Sequence, residues 1–143
     1  MKAGVFTQAS SAGVYHLPPQ QADSLPALAA KSHRAFKLAD LSSSQSKQQV
    51  LTQLGHELAF PDWYGANFDA LQDCLSDHDW RPKGGLIVRL VGLDRLGKVD
   101  GEALATLIEV LQAACQPEGA TKNSPLWFLI DTLVPGIKPL PKA

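Results

Sequence analysis

A chain of 143 residues, 45% of them hydrophobic and with a net charge of −1, can bury a core without metal or disulfide staples, and a single globular unit is expected. Near-neutrality without a basic stripe argues against direct nucleic-acid binding, and no apolar run reaches the length of a membrane span. Cys74 and Cys115 stand outside any Cys-x-x-Cys or zinc-ligand spacing, so both read as reduced core thiols of a cytoplasmic protein.

Residues 1–12 are small and polar, which predicts a frayed tail; Thr7, Gln8, Ser10 and Ser11 interrupt any signal-peptide core. Gly13 to Leu17 can form a short strand, stopped by Pro18 and Pro19. Asp23 to Lys31 reads as a short helix, with Pro26 tolerable only in its first turn. Arg34 to Asp40 alternates as a strand. Ser42 to Ser44 are candidate N-caps for an amphipathic helix over Gln45–Leu58, whose Val50, Leu51, Leu54 and Leu58 share one stripe. Asn67 is a good N-cap for a helix ending near Leu75. Gly85 to Gly92 is a buried strand flanked by glycines. Asp100 to Ala114 is the strongest helix, with Leu104, Leu107, Ile108 and Leu111 on one stripe and Gly119 beyond its end. Pro125 to Asp131 is a central strand, with Trp127 inside it. The Pro-rich segment 134–143 has neither helix nor strand character and is expected to be flexible.

Strands alternate with helices and no internal repeat is present. The pattern predicts an α/β fold: a small, mostly parallel sheet of three to four strands, with helices mainly on one face. Residues 1–33 are expected to add an extra strand and helix packed on a domain spanning 34–133, followed by the tail 134–143.

The charge is not evenly spread. From Gln48 to Trp80 there is no Lys or Arg, yet Glu57, Asp62, Asp69, Asp73, Asp77 and Asp79 all fall there. On the helix after Asn67, the residues Phe68, Ala70, Leu71, Cys74 and Leu75 share one arc, and Asp69, Gln72 and Asp73 the other. A solvated acidic face is the bland explanation, and Asp69 in the first turn suits the helix dipole. But Asp69 and Asp73 are four apart, where like charges repel by a few tenths of a kcal/mol, and no basic residue on the helix relieves them. A metal site or carboxylate pair is weakly signalled: Asp73, Asp77, His78 and Asp79 are ligand types, but there is no His-x-x-x-His and no calcium loop. A hydrolase lacks a nucleophile elbow, a phosphate-cradling loop and a justified Cys/His dyad. A binding face fits best. Trp63 and Tyr64 precede the acidic helix beside the flexible Gly65, and aromatic anchors next to charges match interface hot spots. Trp63 is expected outside and Tyr64 inside; Trp80 and Trp127 are better core candidates. The segregated acids suggest a basic partner.

The segment Glu57-Leu-x-x-Pro61-Asp-Trp-Tyr-Gly65, with Asn67-Phe-Asp-Ala-Leu71 and Asp73-Cys-Leu75, resembles the barstar family, intracellular inhibitors of secreted guanyl-specific ribonucleases. Weaker similarity runs from about Arg34 to Asp131. The resemblance implies a non-enzymatic inhibitor without cofactor, metal or catalytic residues, whose partner is a basic ribonuclease or ribonuclease-type toxin. In the family, the motif helix and the preceding loop plug the nuclease active site. The aspartate matching Asp73 takes the place of a substrate phosphate, the one matching Asp69 flanks it, and the aromatic at Trp63 stacks over the catalytic groups. Partner-binding residues are accordingly expected at Trp63, Gly65, Asn67, Asp69, Gln72, Asp73 and Asp77. Three departures stand out. Gln72 replaces a tryptophan common in the family, and Trp63 a tyrosine. A late-helix acid has no clear match at 112–114, with Glu109 and Glu118 as substitutes. These leave a regulatory or assembly module with a non-nuclease partner as the alternative.

Overall fold

The computed structural model describes residues 4–77, 79–116 and 124–141. Four strands, β1 (Gly13–His16), β2 (Ala35–Asp40), β3 (Leu86–Val91) and β4 (Leu126–Ile130), form one sheet in the order β1-β4-β3-β2. All three pairings are parallel. The interior strands β3 and β4 are nearly continuous apolar runs because both of their faces are covered. Leu86, Val88 and Leu90 lie with Leu126, Phe128 and Ile130 on one face; Ile87, Trp127 and Leu129 lie on the other.

The longer helices crowd the first face. These are α3 (Lys47–Glu57), α4 (Phe68–Ser76) and α6 (Gly101–Ala114), together with the short α5 (Asp94–Val99). The opposite face is not bare. It is covered by α1 (Gly4–Thr7) and α2 (Leu25–Lys31). Topology accounts for the split. The chain steps from β2 to β3 to β4 through neighbouring positions, but from β1 to β2 it crosses the whole sheet in the opposite sense. Crossovers of one hand must switch faces when the direction of travel reverses.

Two expectations are corrected. Residues 4–12 are not frayed: Val5 and Phe6 are buried, the Phe6 ring meets Trp127 edge-on at 5.6 Å, and the Arg34 Nε donates to the Phe6 carbonyl at 2.9 Å. Two apolar residues in a polar stretch are enough when they close a large indole face. The Pro-rich tail is also docked as far as it is described. The His16 amide donates to the Lys138 carbonyl, the Leu140 amide donates to the His16 carbonyl, and Leu140 is buried. The open edge of β1 offers unpaired backbone groups, and the tail satisfies those of His16.

Local signals also shifted. The cap of α3 is Ser46, whose side chain accepts from the Gln49 amide, rather than Ser42 to Ser44. Helix α5 leaves little signal in the sequence, because only Leu96 of its six residues is buried, too little to show a period. Proline 26 sits in the first turn of α2, and Asp100 caps α6 by accepting from the Ala103 amide at 3.1 Å. The expected stop at Gly119 lies outside the described residues.

Candidate protein-binding site

The site is built from the end of α3, the turn that follows, and α4. Asn67 starts α4 by accepting the Ala70 amide at 2.8 Å, which satisfies one of the free donors at a helix start. Leu71, Cys74 and Leu75 are fully buried beneath the helix, while Asp69, Gln72 and Asp73 lie exposed on its outer side. The two arcs are the ones the 3.6-residue period assigns.

The turn before α4 is held from behind. Tyr64 points inward: its hydroxyl donates to the Leu51 carbonyl at 2.7 Å, and its ring meets Phe60 at 4.9 Å. Burial pushes the Tyr64 phenol well above its ordinary value, so it stays a donor. The ring lies so close to α3 that a Cβ on Gly55 would fall 2.4 Å from it; position 55 must therefore be glycine. Trp80 also meets the Phe60 ring edge-on, at 5.1 Å, and donates its Nε1 to the Leu58 carbonyl at 2.8 Å. Trp80 is half-buried, sealing the margin of the core rather than filling its centre. Glutamine 48 on α3 reaches the Ala66 carbonyl at 3.3 Å.

Trp63, one residue before Tyr64, is 56% exposed. Trp63, Gly65, Asn67, Phe68, Asp69 and Asp73 line an open cavity of about 440 Å³. Five of the seven expected contact residues thus meet at one cavity. Gln72 lies outside its lining, and so does Asp77, whose side chain accepts from the Asp79 amide at 2.9 Å and shapes the turn after α4. Among the described residues, neither Asp69 nor Asp73 has a lysine or arginine partner or an internal hydrogen-bond donor. Glu109 is exposed on α6; Glu118 and His78 lie outside the described residues.

One residue that matters here carried no signal in the sequence. Arg81 follows the acidic window and would pass for a surface cation, but it is only 5% exposed. Its Nε donates to the Leu75 carbonyl at 2.7 Å, its Nη1 to the Ser124 carbonyl at 2.8 Å, and its Nη2 to the Ala114 carbonyl. One guanidinium therefore joins the C-terminal ends of α4 and α6 to the entry of β4. A cation is favourable where two helix dipoles point their negative ends. Both cysteines are free and buried. Burial raises the Cys74 thiol, and the charges of Asp73 and Asp77 raise it further. Burial pushes Cys115 up to about 12, opposed by Arg81. Neither is a reactive thiolate near neutrality.

Among the described residues, no three His, Cys, Asp or Glu side chains gather to hold a metal ion, and no helix is long and apolar enough to cross a membrane. The arrangement presents two carboxylates, unpaired among the described residues, and an indole on a braced helix and turn, a combination that suits recognition of a cation.

The family model described as Barstar (barnase inhibitor) matches residues 34–131, a span of 98 of the 143 positions. The chain belongs to the barstar family. It is therefore assigned to a family of inhibitors rather than enzymes. No curated protein matches the chain. The matched stretch holds β2, β3, β4 and the whole acidic site; α1, β1 and α2 precede it.

Proposed function

We propose that this protein inhibits a guanyl-specific, barnase-type ribonuclease or ribonuclease toxin by inserting α4 and the Trp63 turn into the nuclease active site. The observation that carries this reading is that Asp69 and Asp73 stand exposed and unpaired among the described residues, on one cavity with Trp63. An enzyme that cleaves RNA must hold a phosphate, so its cleft presents convergent cationic donors. Carboxylates on a rigid helix satisfy those donors and offer no bond to cleave. Asp73 takes the phosphate position, Asp69 flanks it, and Trp63 lays its ring over a cationic or planar group of the cleft. Gly65 and Asn67 let the partner's surface approach the turn, and Gln72 and Asp77 extend the contact along and beyond α4. The basic-free window speeds encounter with a cationic partner. The inhibitor works in the cytoplasm, where both thiols stay reduced.

The direct test is affinity for a barnase-type ribonuclease by titration calorimetry. Asp73→Ala, with an unchanged circular-dichroism spectrum, should lose about 2 kcal/mol or more of binding, as expected of an interface anchor. Association should also slow as salt is added. Unchanged affinity on Asp73→Ala would discard the mechanism. Exposed Gln72, where the family commonly carries a tryptophan, favours one rival: a regulatory or assembly module with a non-nuclease partner. A small basic nuclease captured from the native lysate supports inhibition; a larger non-nuclease protein supports the rival.

A further inference from the structure

The two edges of the sheet differ. The tail meets the outer side of β1 at His16, whereas β2, at the other edge, has no strand beyond it. The Ala35 and Leu41 amides donate to the Gly85 and Val91 carbonyls, so the odd-numbered residues of β2 bond to β3 and the even-numbered ones point outward. Of the outward set, the Arg34 amide donates to the Ala29 carbonyl and the Asp40 amide to the Glu57 carboxylate. That leaves the amides and carbonyls of Phe36 and Leu38 without a hydrogen bond among the described residues. Donors and acceptors alternating along a free edge are matched, group for group, by another extended backbone.

The side chains narrow the choice. Leu38 is 51% exposed and Phe36 is half-buried, so this face of the edge is apolar and uncovered. On the other face, Lys37 lies on a hollow of about 180 Å³ whose lining is otherwise apolar, with Leu58, Trp80 and Leu86 in it. Lys37 has no ion-pair partner among the described residues. A second copy fits this edge poorly. A two-fold axis would pair β2 antiparallel with itself, and the register that uses only the free groups sets Phe36 of each copy against Leu38 of the other. Lys37 would then face its own counterpart in the closer, non-hydrogen-bonded position, where like charges repel. A strand with a carboxylate at that place turns the same lysine into an attraction.

We propose that the β2 edge binds an extended segment of a second protein, added antiparallel, the pairing more stable per residue. Its backbone pairs with both amides and both carbonyls of Phe36 and Leu38. An aspartate or glutamate lies opposite Lys37, apolar residues on either side of that acid cover Phe36 and Leu38, and an apolar residue two positions beyond it enters the hollow. The hollow and the acidic cavity share no residue, so this edge is open whatever α4 binds.

The capped hexapeptide Thr-Val-Glu-Val-Leu-Thr tests it, titrated into the isotope-labelled full chain to about 1 mM, a range that detects weak binding. Nuclear magnetic resonance should show the Phe36 and Leu38 amides exchanging with solvent about tenfold more slowly or better, with those of Asp69 and Asp73 unchanged. The peptide Thr-Val-Lys-Val-Leu-Thr should bind about threefold more weakly or worse, and Lys37→Glu should reverse that order. Leu38→Pro removes an outward amide and spares the bonds to β3, a place where an edge strand tolerates proline; it should abolish binding of the hexapeptide. The proposal is overturned by absence of protection up to the highest concentration, by undiminished binding to Leu38→Pro, or by an order of the two peptides that Lys37→Glu leaves unchanged. Protection that rises with protein concentration alone would make a second copy the occupant and overturn it as well.

Discussion

Trp63 lies open to solvent beside Asp69 and Asp73, whereas Tyr64, the next residue, is wedged between Gly55 and Phe60 and donates its hydroxyl to Leu51. The contrast extends to whole regions. The outer side of α4 holds carboxylates with no lysine or arginine beside them among the described residues. The frame behind it is closely partnered: Trp80 on Leu58, Asn67 on Ala70, Arg81 on three carbonyls. Unspent electrostatic capacity on one side depends on satisfied geometry on the other. A carboxylate that must not relax onto its own protein needs a helix that cannot bend toward a cation. It also needs Arg81, the first arginine after the acidic window, buried and committed to three carbonyls.

Substitutions can break this division in order of size. Arg81→Met should cost most, about 3 kcal/mol in urea-unfolding stability, because three buried carbonyls lose their donor at once. A loss below about 1 kcal/mol would mean that water replaces the guanidinium easily, and that the helix ends are not pinned by it. Gly55→Ala should follow, at about 2 kcal/mol, because the new methyl and the Tyr64 ring cannot share the space. It should also weaken partner binding through the displaced turn, although residue 55 lies outside the acidic cavity. Trp63→Ala should change stability least, within about 0.5 kcal/mol, as for other surface changes. If Trp63→Ala destabilised the fold as much as Gly55→Ala, the boundary drawn between face and frame would be misplaced.

Much of the face was legible in the sequence and much of the frame was not. Asp69 and Asp73 announce themselves because helical spacing is local and a charge-free neighbourhood can be counted. Asn67 is legible for the same reason: capping is a contact over three residues. Arg81 is not, because its acceptors lie 6, 33 and 43 positions away along the chain. Nor is Gly55, whose need to be glycine is set by a tyrosine arriving from a later turn. At sheet level, the runs Leu86–Val91 and Leu126–Ile130 declare strands buried on both faces, and alternation with helices implies parallel pairing. The cover over Ile87 and Trp127 was harder to foresee, since it depends on Val5 and Phe6 within an otherwise polar stretch. Proline in the tail argues against regular structure, yet an edge strand needs only two backbone hydrogen bonds to hold a passing segment.

Those two bonds, between His16 and the Lys138–Leu140 segment, have a practical side. Helix α1 and the docked tail both belong to the β1 edge and the sheet face turned away from α4. A bead, dye or fusion partner tethered near either extremity of the described chain would therefore sit behind the molecule, leaving the carboxylate-bearing helix facing outward.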